Sequence, residues 1–276
     1  MIRIDCRNIS GDPAKSEQVR LAHDCLVKNG YAILDHVFPE DQIRALNREF
    51  HDQYAKYQQD RELDDTVKVG NRRFLVPIEL SGGFGDPSLY ANPLVVALVR
   101  ETLEEDAILE AYGAIVSLSG SAEQHTHRDS PLLFSNDISP LLPAHALTFG
   151  IPLLEMNELY GTTALFPRSH RWKGFDDKTS PQAPVVPIGS CIIWDFRLYH
   201  RGLPNRSDQP RPQLYATYAR RWYQDPHNFS KATQRRLSFD PVFFERLSDD
   251  RLRLFAHVDP SRRLFSHADP SPADES

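Results

Sequence analysis

The feature that most constrains this chain is a series of short β-rich runs beginning at Ala107. Runs at 107–118, 122–129, 145–154, 162–167, 184–188, 190–196 and 212–222 are divided from one another by Gly, Pro, Asn and Asp. Branched and aromatic side chains suit a pleated, half-buried surface, while the dividing residues supply the turns. Several strands at such spacing predict a β-barrel or sandwich. The 21 prolines point the same way, to many short elements separated by turns.

The flanks read differently. Val19, Ala22 and Leu26 recur at helical spacing over 15–29, Leu21 and Cys25 widen the stripe, and Asn29-Gly30 supplies a stop. A short strand at 31–34 follows. Pro39-Glu40-Asp41 opens a second helix that runs to about Tyr57, with acidic residues where the helix dipole favours them. Residues 59–72 read as a charged surface loop, 73–80 as a strand, and 93–103 as a third helix. Helical patterning returns over 231–257, and the polar end at about 270–276 reads as disordered. The expectation is one domain over 1–276, mostly β with flanking helices. Its helical N-terminal part spans about 15–105, its β core about 107–224 and its helical tail about 231–257.

Composition narrows the partners. A formal net charge of -6 offers no basic surplus for nucleic acid. The first residues lack the apolar stretch of a signal peptide, and no run approaches the roughly 18–20 apolar residues of a membrane span. Cys6, Cys25 and Cys191 are odd in number and widely spaced, which fits neither a disulfide framework nor a zinc ribbon. A reduced, cytoplasmic protein acting on a small molecule is expected.

The most informative stretch is Gln124-His125-Thr126-His127-Arg128-Asp129. On a strand, side chains alternate, so His125, His127 and Asp129 are expected to share one face. An imidazole and a carboxylate two residues apart can grip one metal. A third ligand is available at His200, just beyond the apolar run Ile192-Ile193-Trp194. Two histidines and one carboxylate fill one face of an octahedral metal and leave three positions open, the ligand set of non-haem iron(II) oxygenases. The open positions accommodate a chelating 2-oxo acid and dioxygen; zinc favours a tetrahedral site with one open position. The far carboxylate of such a cosubstrate needs a cation, and arginine's planar fork suits it. Arg211 stands at the head of the 212–222 run; Arg206 is nearer to His200 and reads as a surface arginine.

These residues resemble the phytanoyl-CoA dioxygenase family of iron(II)/2-oxoglutarate oxygenases. The similarity is carried by Gly30-Tyr31-Ala32-Ile33-Leu34 with the Pro39 helix, by Gln124 to Asp129, by Gly161 through Pro167-Arg168-Ser169-His170 to Trp172, and by His200-Arg201-Gly202 through Asn205 to Arg211. The resemblance implies a double-stranded β-helix (jelly roll). It implies His127, Asp129 and His200 as iron ligands and catalytic centre, Arg211 as partner of the 2-oxoglutarate C5 carboxylate, and Gln124 and Thr163 as further cosubstrate contacts. It implies Fe(II), 2-oxoglutarate and O2 as cofactor and cosubstrates, and oxidation of a small organic molecule such as a secondary metabolite. Two positions depart from the pattern. Tyr160 replaces the usual Asn, and Arg168 replaces the usual Gly, which calls the turn there into question because Gly is the residue for positive φ. Related halogenases carry a small residue in place of the metal carboxylate; with Asp129 present, hydroxylation, desaturation or rearrangement is implied instead.

Three other readings of the same residues stand beside this one. His125-x-His127-x-Asp129 resembles the zinc motif of metallo-β-lactamase-like hydrolases, but Ser130 stands where those enzymes have His. A cupin also places a His-x-His pair on a barrel, but 131–134 is Pro-Leu-Leu-Phe, without its glutamate. The third is a non-enzymatic β-barrel binding protein.

Overall fold

A computed structural model describes residues 3–9, 11–135 and 137–258; the polar end at 270–276 lies outside them. The strands are β1 (Arg3–Asp5), β2 (Tyr31–Asp35), β3 (Val67–Gly70), β4 (Arg73–Pro77), β5 (Glu79–Leu80), β6 (Ile108–Ser117), β7 (Ala146–Pro152), β8 (Thr163–Leu165), β9 (Cys191–Asp195), β10 (His200–Gly202), β11 (Arg211–Ala219) and β12 (Ser238–Phe239). The helices are α1 (Glu17–Asn29), α2 (Glu40–Gln53), α3 (Pro87–Tyr90), α4 (Pro93–Leu103) and α5 (Asp249–Arg253). Eight strands form one sheet in the order β1-β2-β9-β7-β11-β6-β4-β3, and β8 pairs with β10 in a smaller one. The fold is mostly β with flanking helices, in a jelly roll with a cavity lined from both sheets.

Strand alternation explains the layering. Leu214, Ala216 and Tyr218 of β11, Tyr112, Ala114 and Val116 of β6, and Phe149 and Ile151 of β7 enter one hydrophobic core. That core also takes Val19, Ala22 and Leu26 of α1, Ile43, Leu46 and Phe50 of α2, and Leu94, Leu98 and Val99 of α4. The intervening residues, Arg211, Gln213, Tyr215 and Thr217, line the cavity on the opposite face. A sheet with both faces covered can therefore carry a polar row inside the protein.

The helix ends follow their chemistry. Ser16 caps α1 by accepting from Val19 N, and Gly30 closes it in the left-handed conformation at φ 82. A side chain at Gly30 would also meet His170 Nδ1 at 2.5 Å, so this glycine answers to packing as well as to φ. Asn92 caps α4 with Pro93 in its first turn. The second helix stops at Gln53 rather than near Tyr57, where a separate 3-10 turn, Ala55–Gln58, follows.

Several expectations are corrected. The 59–72 loop contains β3, a short strand with one exposed and three half-buried residues. The 184–188 run makes only an isolated bridge, Met156↔Val186. The 231–257 tail holds the two-residue β12, a 3-10 turn at Phe243–Arg246 and the short α5 in place of a long helix. The 122–129 run is not a regular strand. Its only strand-type bridge is His127↔His200, and Gln124 N donates to Gly202 O while His127 N donates to His200 O. Three steps along one chain oppose two along the other, which breaks simple alternation in the manner of a bulge.

Candidate metal centre

The irregular segment still delivers its ligands. One ligand atom each from His127, Asp129 and His200 lies within 4.8 Å of the others. His200 Nε2 stands 3.4 Å from Asp129 Oδ1. Each imidazole is oriented by its other nitrogen, because His127 Nδ1 sits 3.0 Å from His125 O and His200 Nδ1 sits 3.0 Å from Leu198 O. Donation from Nδ1 leaves both Nε2 lone pairs free for a metal, the usual outer-shell arrangement. Burial, reinforced by His200, pushes His127 down to about 4 and so favours the neutral, ligating imidazole.

The carboxylate is also held. Trp194 Nε1 donates to Asp129 Oδ2 at 2.7 Å, and Thr148 Oγ1 donates to the same oxygen at 3.2 Å. Thr148 and Trp194 are register partners on β7 and β9. Oδ1 is left facing His200. The distal histidine owes its place to the turn after β9. Asp195 forms a buried ion pair with Arg197 at 2.6 Å, and Ser169 Oγ accepts from Tyr199 N at 2.8 Å. Arg168 precedes Ser169 with φ 70, so the turn that glycine usually makes is kept here by an exposed arginine in the left-handed region. His170 is buried and packs against the end of α1, with Nε2 3.2 Å from Val27 O.

These residues line a cavity of about 440 Å³. Arg211 is 2% exposed at its far end; it donates to Gln213 Oε1 and Ser117 Oγ, each at 2.8 Å, and Nε has no partner. No carboxylate pairs with Arg211 among the described residues. Thr163 is buried in the cavity wall. Gln124 lines it too, but its side chain is engaged with protein: Oε1 accepts from Arg73 Nη1 at 3.0 Å and Gly202 N at 2.8 Å, and Nε2 donates to Val69 O at 2.5 Å. Arg206 instead reaches Glu158 O at the surface. His125 is exposed at the cavity wall and stands outside the three-residue ligand group.

Sequence reasoning missed three residues that shape the site. In the sequence Trp194 stands in an apolar run, and Thr148 and Gln213 belong to no motif. Their common signal is position: each is the inward residue of a strand whose neighbours face the helices.

The donor set fits a divalent iron, with two imidazole nitrogens and one oriented carboxylate oxygen beside an open cavity. Comparison with known proteins agrees. A family model described as Phytanoyl-CoA dioxygenase (PhyH) matches residues 26–213, more than half of the chain. The crystal structure of EvdMO1 superposes with a TM-score of 0.57 at 19% identity, over 74% of this chain and 50% of that one. The chain thus spans half the length of EvdMO1. The epimerase SnoN, crystallised with Fe3+, alpha ketoglutarate and nogalamycin RO, superposes with a TM-score of 0.57 at 16% identity, over 84% of this chain and 96% of that one. A second SnoN structure, described as a non-heme alpha ketoglutarate dependent epimerase from nogalamycin biosynthesis, gives 0.54 at 16% identity over the same shares. At these identities the structural likeness speaks for the fold.

Proposed function

The chain belongs to the phytanoyl-CoA dioxygenase family, and from that premise we propose that His127, Asp129 and His200 hold its iron(II) while Arg211 receives the distal carboxylate of 2-oxoglutarate. The protein is a non-haem iron, 2-oxoglutarate-dependent dioxygenase that uses Fe(II), 2-oxoglutarate and O2. The observation that carries the residue assignment is the convergence of one His-Asp-His set on the wall of a cavity that also presents a buried, carboxylate-free arginine.

Bound iron, with 2-oxoglutarate and dioxygen, supplies the oxidising power to remove hydrogen from a substrate C–H bond, the cosubstrate leaving as succinate and carbon dioxide. The chain's own residues do the rest. His127 and His200 offer Nε2 atoms fixed by their Nδ1 contacts. Trp194 and Thr148 hold Asp129 Oδ2, so that Oδ1 is presented to the metal. Arg211 orients the cosubstrate by its distal carboxylate, and Thr163 is a further contact from the cavity wall. Leu75, Ile115, Phe196 and Phe229 give the cavity apolar walls that exclude water.

The substrate proposed is a small organic molecule with polar groups, such as a secondary metabolite. It is hydroxylated, desaturated or oxidatively rearranged; the carboxylate at Asp129 speaks against halogenation. A 440 Å³ cavity suits a mid-sized ligand, and SnoN acts in nogalamycin biosynthesis. The test is a screen for substrate-dependent succinate release across metabolite classes, run beside Asp129→Ala. The reading predicts turnover that the variant abolishes. Substrate oxidation by Asp129→Ala with normal iron content would sink it. No helix among the described residues is long and apolar enough to cross a membrane.

A further inference from the structure

One carboxylate faces the cavity against the alternation of its own strand. Leu109 and Tyr112 of β6 both enter the hydrophobic core, so the two residues between them break the period of two. The pairing with β11 shows how. Thr217 stands opposite Ala111 and Tyr218 opposite Leu109, which leaves Glu110 as an extra residue, a β-bulge. Glu110 and Ala111 therefore both line the cavity. Glu110 is only 4% exposed. Burying a carboxylate is costly, and bulges beside active sites commonly re-aim a side chain.

Register fixes its place relative to the metal centre. Ala111, Thr217, Thr148 and Trp194 form one row across β6, β11, β7 and β9. Thr148 and Trp194 are the residues that hold Asp129. Two strand spacings, about 10 Å, separate Ala111 from Thr148. Arg211 pairs with Ser117 at the other end of β6, so Glu110 stands apart from the cosubstrate end. The segment after β11 closes the circuit. Asn228 Nδ2 donates to Asp129 O at 3.0 Å and to Asp225 Oδ2 at 2.6 Å, and Asp225 N donates to Glu110 Oε1 at 2.9 Å.

The charges at this end do not balance. Arg236 Nε pairs with the same Oε1 at 3.2 Å, so both contacts fall on one oxygen and Oε2 is left for a ligand. Asp225, 3% exposed, is a second buried carboxylate on the cavity wall. Its oxygens are held by neutral donors, His227 N at 2.8 Å, Asn228 N at 3.2 Å and the Asn228 amide. Arg236 Nη2 goes to the Asp225 carbonyl and not to its carboxylate. Two buried carboxylates thus share one guanidinium. Burial pushes the Glu110 carboxyl up, and the opposing pull of Asp225 N and Arg236 does not cancel it. A ligand that brings a positive charge to Oε2 relieves this imbalance.

We propose that Glu110 is the specificity-determining residue for the primary substrate, binding a protonated amine and so turning a nearby C–H bond toward the metal. This rests on the oxygenase reading above and deepens it, from a small molecule with polar groups to one that carries an amine. The alternative is that Glu110 is only a clasp that holds the 225–236 segment on β6.

The two differ in what they discriminate. Manganese(II) is loaded into the full chain with 2-oxoglutarate present, and its paramagnetism broadens the proton resonances of small molecules bound near it. The probes are 2-phenylethylamine and cyclohexylmethylamine, each paired with the alcohol of the same skeleton, 2-phenylethanol and cyclohexylmethanol. Glu110→Gln keeps an acceptor for Asp225 N and removes the charge. The proposal predicts that the parent binds each amine about tenfold more tightly than its alcohol, the worth of a charge-assisted bond. In Glu110→Gln that ratio falls to within twofold, while the alcohols bind as they do to the parent. Arg236→Gln, which removes the competing cation, raises the amine preference. Equal binding of amine and alcohol by the parent, or an amine preference that survives Glu110→Gln, overturns the proposal. So does equal weakening of amines and alcohols, which is what a clasp alone predicts. If Glu110→Gln does not fold, Arg236→Gln carries the test, and an amine preference that does not rise overturns the proposal. Calorimetry of 2-oxoglutarate on the manganese-loaded parent separates the two levels. No binding there overturns the oxygenase reading itself, whereas binding without an amine preference overturns this proposal alone.

Discussion

Replacing Trp194 with phenylalanine should weaken metal binding without unfolding the protein. The indole N–H is one of two donors to Asp129 Oδ2, at 2.7 Å, and it lies in a side chain only 3% exposed. A hydrogen bond to a charged acceptor contributes about 1.5–3 kcal/mol. Thr148 still donates to the same oxygen at 3.2 Å, so part of the orientation survives. Part of the loss also falls on the metal-free protein, which makes the same bond. The expected outcome is metal affinity reduced by roughly 10- to 100-fold, the range seen when partners that orient ligands are removed. Phenylalanine keeps most of the apolar contact within the cluster of Tyr31, Ile33, Leu165, Ile192 and Leu198. The assay is competition with a chromophoric chelator under anaerobic conditions, with circular dichroism to confirm folding. Thr148→Val should cost less, and the double variant should lose more than the sum of the singles, because either donor alone partly holds the shared acceptor. An affinity within twofold of the parent in folded Trp194→Phe would refute the claim that this bond presents the carboxylate to the metal.

Two further predictions concern stability. His145 is buried beside Ser130 Oγ, and burial pushes it down to about 4 from an ordinary value of 6.5. Between those values the unfolded chain binds a proton that the folded chain does not. The contribution is therefore intact above about pH 6.5 and is lost as pH falls toward about 4, by roughly 3 kcal/mol at most; His145→Gln should flatten the slope of denaturation midpoints over this window, and an unchanged slope would contradict the assignment. Arg168 sits at φ 70 with its side chain exposed, so Arg168→Gly should stabilise by about 0.5–1 kcal/mol in thermal melts, whereas an unchanged or lower midpoint would show that the left-handed turn is not strained there.

Much of the fold was legible because the physics that forms it is local. Apolar spacing marked α1 and α4, with Asn29-Gly30 as the stop of α1, and β-rich runs between turn residues marked β6, β7, β9 and β11. The candidate metal ligands stood out because their residue types are restrictive, and the fold brings the three together, although the strand expected to carry His127 and Asp129 is an irregular segment. What was not legible depends on register. β1 and β3 are short edge strands with few inward positions, so neither stands out from its charged surroundings. Arg73 stands in the sequence only as the first residue of the expected strand 73–80; its register with Ser117 is what places it in one row with Arg211. In retrospect one signal was present, a charged residue heading the apolar run Phe74-Leu75-Val76. Trp194 likewise looked like core because the sequence does not say which face of β9 meets a carboxylate.

The most direct test of the central claim is anaerobic absorption spectroscopy of the iron(II)-loaded protein titrated with 2-oxoglutarate. A chelate on a His127–Asp129–His200 site predicts a visible charge-transfer band that saturates with one cosubstrate per iron in the parent protein and is lost in Asp129→Ala and His200→Ala. A parent protein that binds iron but gives no band, or an Asp129→Ala variant that gives the full band, would contradict the account.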